Sequence, residues 1–149
     1  MAVGETWITM VGRLTSEPVH HQEPERGHDV VSFGLLNIER RFDRERGEWT
    51  DGRELEVRVT CRRKLAAGVH SCLGKGDPVV VTGRLSSGGP DVAPRSRAVL
   101  ELEAFAVGPD LGRCVAGVRR PVRAANSRPE WRGAVENGLV SAAESVPAA

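Results

Sequence analysis

Residues 79–86 read VVVTGRLS, and 71 positions earlier residues 8–15 read ITMVGRLT. Both stretches run apolar residues into Gly-Arg-Leu and then a small polar residue. The spacing is too wide for a solenoid repeat, and nothing between the copies recurs. The echo therefore marks two strands with matching jobs in one sheet. In the first, Ile8, Met10, Gly12 and Leu14 share one face, and Trp7, Thr9, Val11 and Arg13 share the other. In the second, Val79, Val81, Gly83 and Leu85 face inward. A glycine inside a strand reads as a bend or a close backbone approach.

Three more strands follow from alternation. One spans 30–42, with Val31, Phe33 and Leu35 on one face and Gly34 marking curvature. Another spans 54–62, with Leu55, Val57, Val59 and Cys61 inward and Glu54, Glu56, Arg58, Thr60 and Arg62 on a wet face. Asp51-Gly52 between them is a turn signal. The last spans 98–107, after a turn-rich loop at 86–97. Residues 15–29 read as a loop or a loosely paired strand end. Leu65, Val69, Cys72 and Leu73 break the period of two and predict one short helix, with Gly74 at its C-terminal cap. Three strands, one helix and two strands, with the first and fourth strands bent at glycine, predict an all-β chain with one short helix, a five-stranded OB-fold barrel. The loops after strands 1 and 4, where that fold binds its ligands, are those the two Gly-Arg-Leu stretches lead into. The barrel is assigned to 1–110 and an extra C-terminal strand to 111–120. The Ala-, Ser-, Pro- and Gly-rich residues 121–149 are read as a disordered tail.

Charge gives no simple nucleic-acid signature. Residues 1–108 carry 15 Lys and Arg against 16 Asp and Glu, and the whole chain has a net charge of +1. Any basic patch must come from arrangement. No run is long enough to span a membrane, and the start lacks the basic-then-apolar pattern of a signal peptide, so a membrane partner is not expected. Cys61, Cys72 and Cys114 show no CxxC spacing, which predicts neither a disulfide framework nor a zinc site and suits a reducing cytoplasm. Cys61 and Cys72 read as small core residues. His20, His21 and His28 share one polar loop and do not converge as metal ligands. No carboxylate pair, nucleophile constellation or cofactor fingerprint stands out, so neither an enzyme nor a cofactor is expected.

VGRLTSEP (11–18), VVSFGLL (30–36), FDRERGEWTDG (42–52), KLA with CLGKGDPVVVTGRL (64–85) and ELEAFAVGPDL (101–111) resemble, in order, the bacterial single-stranded DNA-binding protein family, and most of all its actinobacterial type. The resemblance covers roughly residues 5–120 and implies an OB barrel and a homotetramer. It also implies a strand near RCVAGVRR (113–120) that clasps a neighbouring subunit. The implied function is sequence-independent binding of single-stranded DNA in replication, recombination or repair, in the cytoplasm at the nucleoid. The family stacks bases on aromatics beside a basic groove. Here the matching wet face of strand 3 carries Glu56, Thr60 and Arg62, and only Phe42 stands at a matching aromatic position. The candidate contacts are Arg40, Arg41, Phe42, Arg58, Thr60, Arg62, Arg63, Arg84, Arg95 and Arg97, with Lys64 beside them. Binding carried by arginine predicts a weaker and more salt-sensitive complex than the family norm. The chain ends AAESVPAA, without the family's acidic, aromatic-ended tail, so recruitment of other proteins by that route is not expected.

Two other readings fit the same residues. One is an OB-fold oligomeric scaffold that has lost most DNA binding, its arginines paired with Glu39, Asp43, Glu45, Glu54 and Glu56. The other is a subunit mixing into tetramers with an aromatic-rich paralogue. Trp7 and Trp49 are expected as core or subunit-contact residues.

Overall fold

The structure, a computed structural model, describes residues 2–87 and 100–121. It contains strands β1 (Thr6–Leu14), β2 (Val19–Gln22), β3 (Asp29–Asp43) and β4 (Glu48–Arg62), helix α1 (Lys64–Cys72), and strands β5 (Pro78–Ser86) and β6 (Leu100–Pro109). The sheet order is β1-β5-β6-β4-β3-β2, and β1 also pairs with β3 at Arg13–Leu36 and Leu14–Leu35. That extra pairing closes five strands into a barrel and leaves β2 as a flap on β3. This is the expected OB topology. The loosely paired strand end expected within 15–29 is β2, held by four pairs from Val19–Ser32 to Gln22–Asp29.

The barrel interior is filled by the alternating sets. Met10, Leu14, Val31, Phe33, Leu35, Val57, Val59, Cys61, Val79, Val81 and Leu102 are all buried. Each fully buried Val, Leu or Phe side chain contributes about 1.5–3 kcal/mol. Helix α1 adds Ala66 and Val69 to this core, and Leu65 and Leu73 pack against it. Cys72 was expected inside but is exposed, because the helix ends there, one turn beyond Val69. Gly74 does not cap the helix in a left-handed conformation; Leu73 leaves the helix extended, and the positive φ falls at Gly76.

The two echoed glycines do the same job. A Cβ on Gly12 would lie 2.5 Å from the Leu36 carbonyl oxygen, and a Cβ on Gly83 would lie 2.1 Å from the Glu103 carbonyl oxygen. In both places another backbone occupies the space of a side chain. Gly12 admits β3 where the barrel closes, and Gly83 admits β6.

Asp51-Gly52 is not the hairpin turn. The chain reverses between β3 and β4 at Arg44–Gly47, with Gly47 at φ 66°, and Asp51 and Gly52 lie within β4. Ile38 pairs with Glu54 but Arg40 pairs with Asp51, so β4 carries one extra residue there. A β-bulge absorbs the glycine that a turn was expected to use. Leu55, expected inward, is exposed because the strands here have left the barrel as a two-stranded arm. In the single chain residues 111–113 form a turn and 114–121 form no regular element. A strand exists only against a partner edge, and this segment makes no ladder among the described residues.

Candidate nucleic-acid interface

The candidate residues fall into two groups and a remainder. Arg40, Arg41 and Phe42 stand on the protruding arm of β3. Arg40 is ion-paired with Asp51, and Arg41 lies 3.5 Å from Glu39. Phe42 packs edge-on against Trp49 with ring centroids 5.4 Å apart, and both rings are at least half exposed. Arg95 and Arg97 lie outside the described residues.

The second group lies on the barrel's outer wall. Alternation along β4 turns Arg58, Thr60 and Arg62 outward while Val57, Val59 and Cys61 fill the core. β6 runs parallel beside β4 and sets Glu101 next to Arg58 and Glu103 next to Thr60. On the far side of β6, Arg84 of β5 pairs with Glu103, and β1 brings Trp7 opposite Arg84. Arg63 joins β4 to α1 with φ 59°, a conformation rarely adopted outside glycine. Its backbone N–H donates to the Asp29 carbonyl at 3.0 Å. Arg62, Arg63 and Arg84 thereby converge on one open cleft of about 760 Å³, together with Arg26, His28 and Phe105.

The arginines of this cleft are not equivalent. Arg84 donates to Glu103 at 2.5 Å and to Glu5 at 2.7 Å. The hydrogen bonds that Arg84 donates to Glu103 and Glu5 raise its pKa, and the bond from Arg84 holds the Glu5 carboxyl below its ordinary 4.5, with a second from the Trp7 indole. Arg62 donates to Glu23 at 2.7 Å and lies 3.7 Å from Glu103. Arg58 and Arg63 make no ion pair among the described residues. Pairing of arginines with acids is thus partly as expected, but the acids that matter at the cleft are Glu5, Glu23 and Glu103.

Besides Phe42, three of the described aromatics stand exposed on the single chain. Trp7 and Trp49, expected as core or contact residues, are 54% and 61% exposed, and Phe105 is 74% exposed. Phe105 touches Trp7 edge-on, with centroids 6.0 Å apart. It is the extra residue of a bulge in β6, since Thr82 pairs with Ala106 and Gly83 with Ala104. Its outward direction was legible from the alternation of Glu101 and Glu103; its place beside the arginines was not.

A closed OB barrel with a basic cleft on its outer wall narrows the comparison with known proteins. The Single-strand binding protein family matches residues 6–107. The chain belongs to that family. A single-stranded DNA-binding protein of Paenarthrobacter nicotinovorans is 37% identical over 131 residues, covering 87% of this chain and 76% of the relative. Among solved structures, the small single-stranded DNA-binding protein of Streptomyces coelicolor superposes with a TM-score of 0.69 at 35% identity, over 76% of this chain and all of the other. The second single-stranded DNA-binding protein of Mycobacterium smegmatis gives a TM-score of 0.61 at 34% identity, over 78% of this chain and 99% of that one. Against this family background, the wall carries Glu56, Thr60 and Arg62 where the family's stacking aromatics were expected, and Trp7 and Phe105 stand on the neighbouring strands.

Proposed function

We propose that this chain binds single-stranded DNA without sequence preference, along the outer wall of the barrel and the two-stranded arm. The observation that carries the reading is the convergence of Arg62, Arg63 and Arg84 with an exposed Phe105 on one cleft of a family-type barrel. Arginine neutralises phosphate, and exposed rings accept bases of any sequence. Arg58 and Thr60 extend the same wall and Arg40, Arg41 and Phe42 the arm, and Arg95 and Arg97, from the sequence between β5 and β6, add to the cationic contacts. The role is that of a coat protein in replication, recombination or repair, acting in the cytoplasm at the nucleoid, and not that of an enzyme.

Binding is weaker and more salt-sensitive than the family norm, because the arginines outnumber the stacking rings and some already hold carboxylates. Neutralising four phosphates gives a log–log salt slope of about −2.8, a loss of about 50-fold between 50 and 200 mM salt. The protein works as a homotetramer. β1 supports this: from Thr6 to Val11 one edge makes no ladder among the described residues, although its other edge is fully paired with β5. An open strand edge is a template for a second copy. Residues 111–120 act as a clasp that takes strand form only against a neighbouring subunit.

The test is fluorescence anisotropy with labelled oligo-dT of about 35 nucleotides, long enough for several OB sites, at low and then physiological salt. The expected result is micromolar or tighter binding that collapses with salt and weakens in Arg58→Ala and Arg63→Ala. The carboxylates on Arg62 and Arg84 favour a second reading, a scaffold or mixed-tetramer subunit with little DNA binding of its own. An intact oligomer with no binding at low salt would establish that reading instead.

A further inference from the structure

Charged residues at the cleft form a chain of ion pairs in the order Glu5, Arg84, Glu103, Arg62, Glu23. Glu103 is the central link. Its Oε2 accepts from Arg84 at 2.5 Å, and its Oε1 faces Arg62 Nε at 3.7 Å. One carboxylate thus spends its two oxygens on two guanidinium groups. A phosphodiester also presents two anionic oxygens, so the same pair of arginines suits a phosphate. The outer links hold the arginines in position whether or not Glu103 stays. Arg84 keeps Glu5 at 2.7 Å, and Arg62 keeps Glu23 at 2.7 Å. Glu103 itself is open to solvent on the strand's outer face, its side chain being 44% exposed.

The rest of the cleft suits a nucleotide better than a bare anion. Four arginines, Arg26, Arg62, Arg63 and Arg84, line the cleft with Glu23 and Glu103, and even with Glu5 held on Arg84 the arginines outnumber the carboxylates. The volume of about 760 Å³ falls within the range of small-ligand sites. The bulge in β6 sets Phe105 on the lining of the cleft, and the edge contact with Trp7 leaves most of its ring in solvent. Bulges commonly re-aim a side chain beside a working site.

We propose that this cleft takes one nucleotide of single-stranded DNA by anion exchange: a phosphate replaces the Glu103 carboxylate between Arg62 and Arg84, and the attached base stacks on Phe105. Glu103 is then the residue that sets affinity, since every bound nucleotide must displace it and lie near its charge. The inference rests on the single-stranded DNA reading above, and it makes a counter-intuitive demand: removing a cleft contact must tighten binding.

The experiment measures oligo-dT binding across a salt series for the full chain, Glu103→Gln and Phe105→Ala, with circular dichroism confirming that each variant is folded. Glu103→Gln should bind at least about threefold more tightly at low salt. Its salt slope should steepen by about 0.7, the contribution of one phosphate on a single strand, because no displaced carboxylate then offsets the charge that phosphate neutralises. Phe105→Ala should bind about fivefold or more weakly, the lower end of a lost base stack. A merely structural role for Glu103 would not move the salt slope. If Glu103→Gln or Phe105→Ala matches the full chain while Arg58→Ala still weakens it, the exchange site is wrong and the general reading stands. If neither the full chain nor Glu103→Gln binds at low salt, both fall together.

Discussion

Replacing Gly83 by alanine should be among the most damaging single-methyl changes available in this barrel. The added Cβ would sit 2.1 Å from the Glu103 carbonyl oxygen and 2.9 Å from Ala104 Cα. Carbon–oxygen contacts settle at about 3.3 Å or beyond, so β6 must retreat by roughly 1 Å. It has little freedom to do so, because it is laddered to β5 on one side and to β4 on the other. Overpacking of this kind costs about 1–3 kcal/mol, and weakening one ladder hydrogen bond adds about 1 kcal/mol. A loss of about 3 kcal/mol is expected. With a urea m-value of about 1.5 kcal/mol/M, the midpoint should fall by about 2 M. The assay is urea unfolding by circular dichroism at one fixed protein concentration, because self-association would shift the midpoint by mass action. Gly68→Ala is the matched control. It adds the same methyl inside α1 with nothing within 4 Å, and should stabilise by about 0.5–1 kcal/mol through helix propensity. A Gly83→Ala midpoint within 0.3 M of the parent would refute the close-approach account of the Gly-Arg-Leu echo.

Two further outcomes follow from side-chain environments. Burial pushes the Cys61 thiol up to about 12, so a thiol reagent at pH 8 should label exposed Cys72 in the folded protein and reach Cys61 only after unfolding; rapid native labelling of Cys61 would contradict its burial. Glu5 has a lowered folded-state pKa, so the stability it contributes is fully present above the ordinary 4.5 and disappears as pH falls through the lowered value. The gap in melting temperature between the parent and Glu5→Gln should therefore be constant near neutrality and shrink on acidification below about pH 4.5; a gap unchanged to pH 3 would show that the Arg84 bond does not hold Glu5.

Much of the barrel was legible in the chain because strand alternation is a local signal. Val57, Val59 and Cys61 against Arg58, Thr60 and Arg62 sort themselves into core and wall without knowledge of any neighbour. The paired glycines read as bends or close approaches for the same reason, and in the fold another backbone lies against each. Where local signals compete, tertiary context decided. Asp51-Gly52 has turn chemistry, but the longer ladder of the arm kept it in strand and absorbed it as a bulge. Cys72 has the helical phase of a core residue, but the helix ends too early to bury it.

The candidate site divides along the same line. That Arg58, Arg62 and Arg84 face outward follows from sequence period alone. Which acids would hold them does not, because Glu5, Glu23 and Glu103 approach Arg84 and Arg62 from 19 to 79 positions away in the chain. Pairing across a closed sheet depends on strand order and register, and no local pattern encodes either. The sequence determined a glycine-bent barrel with arginines on its wall. Only the fold, by laying β6 between β4 and β5, decided that one carboxylate stands between two of them.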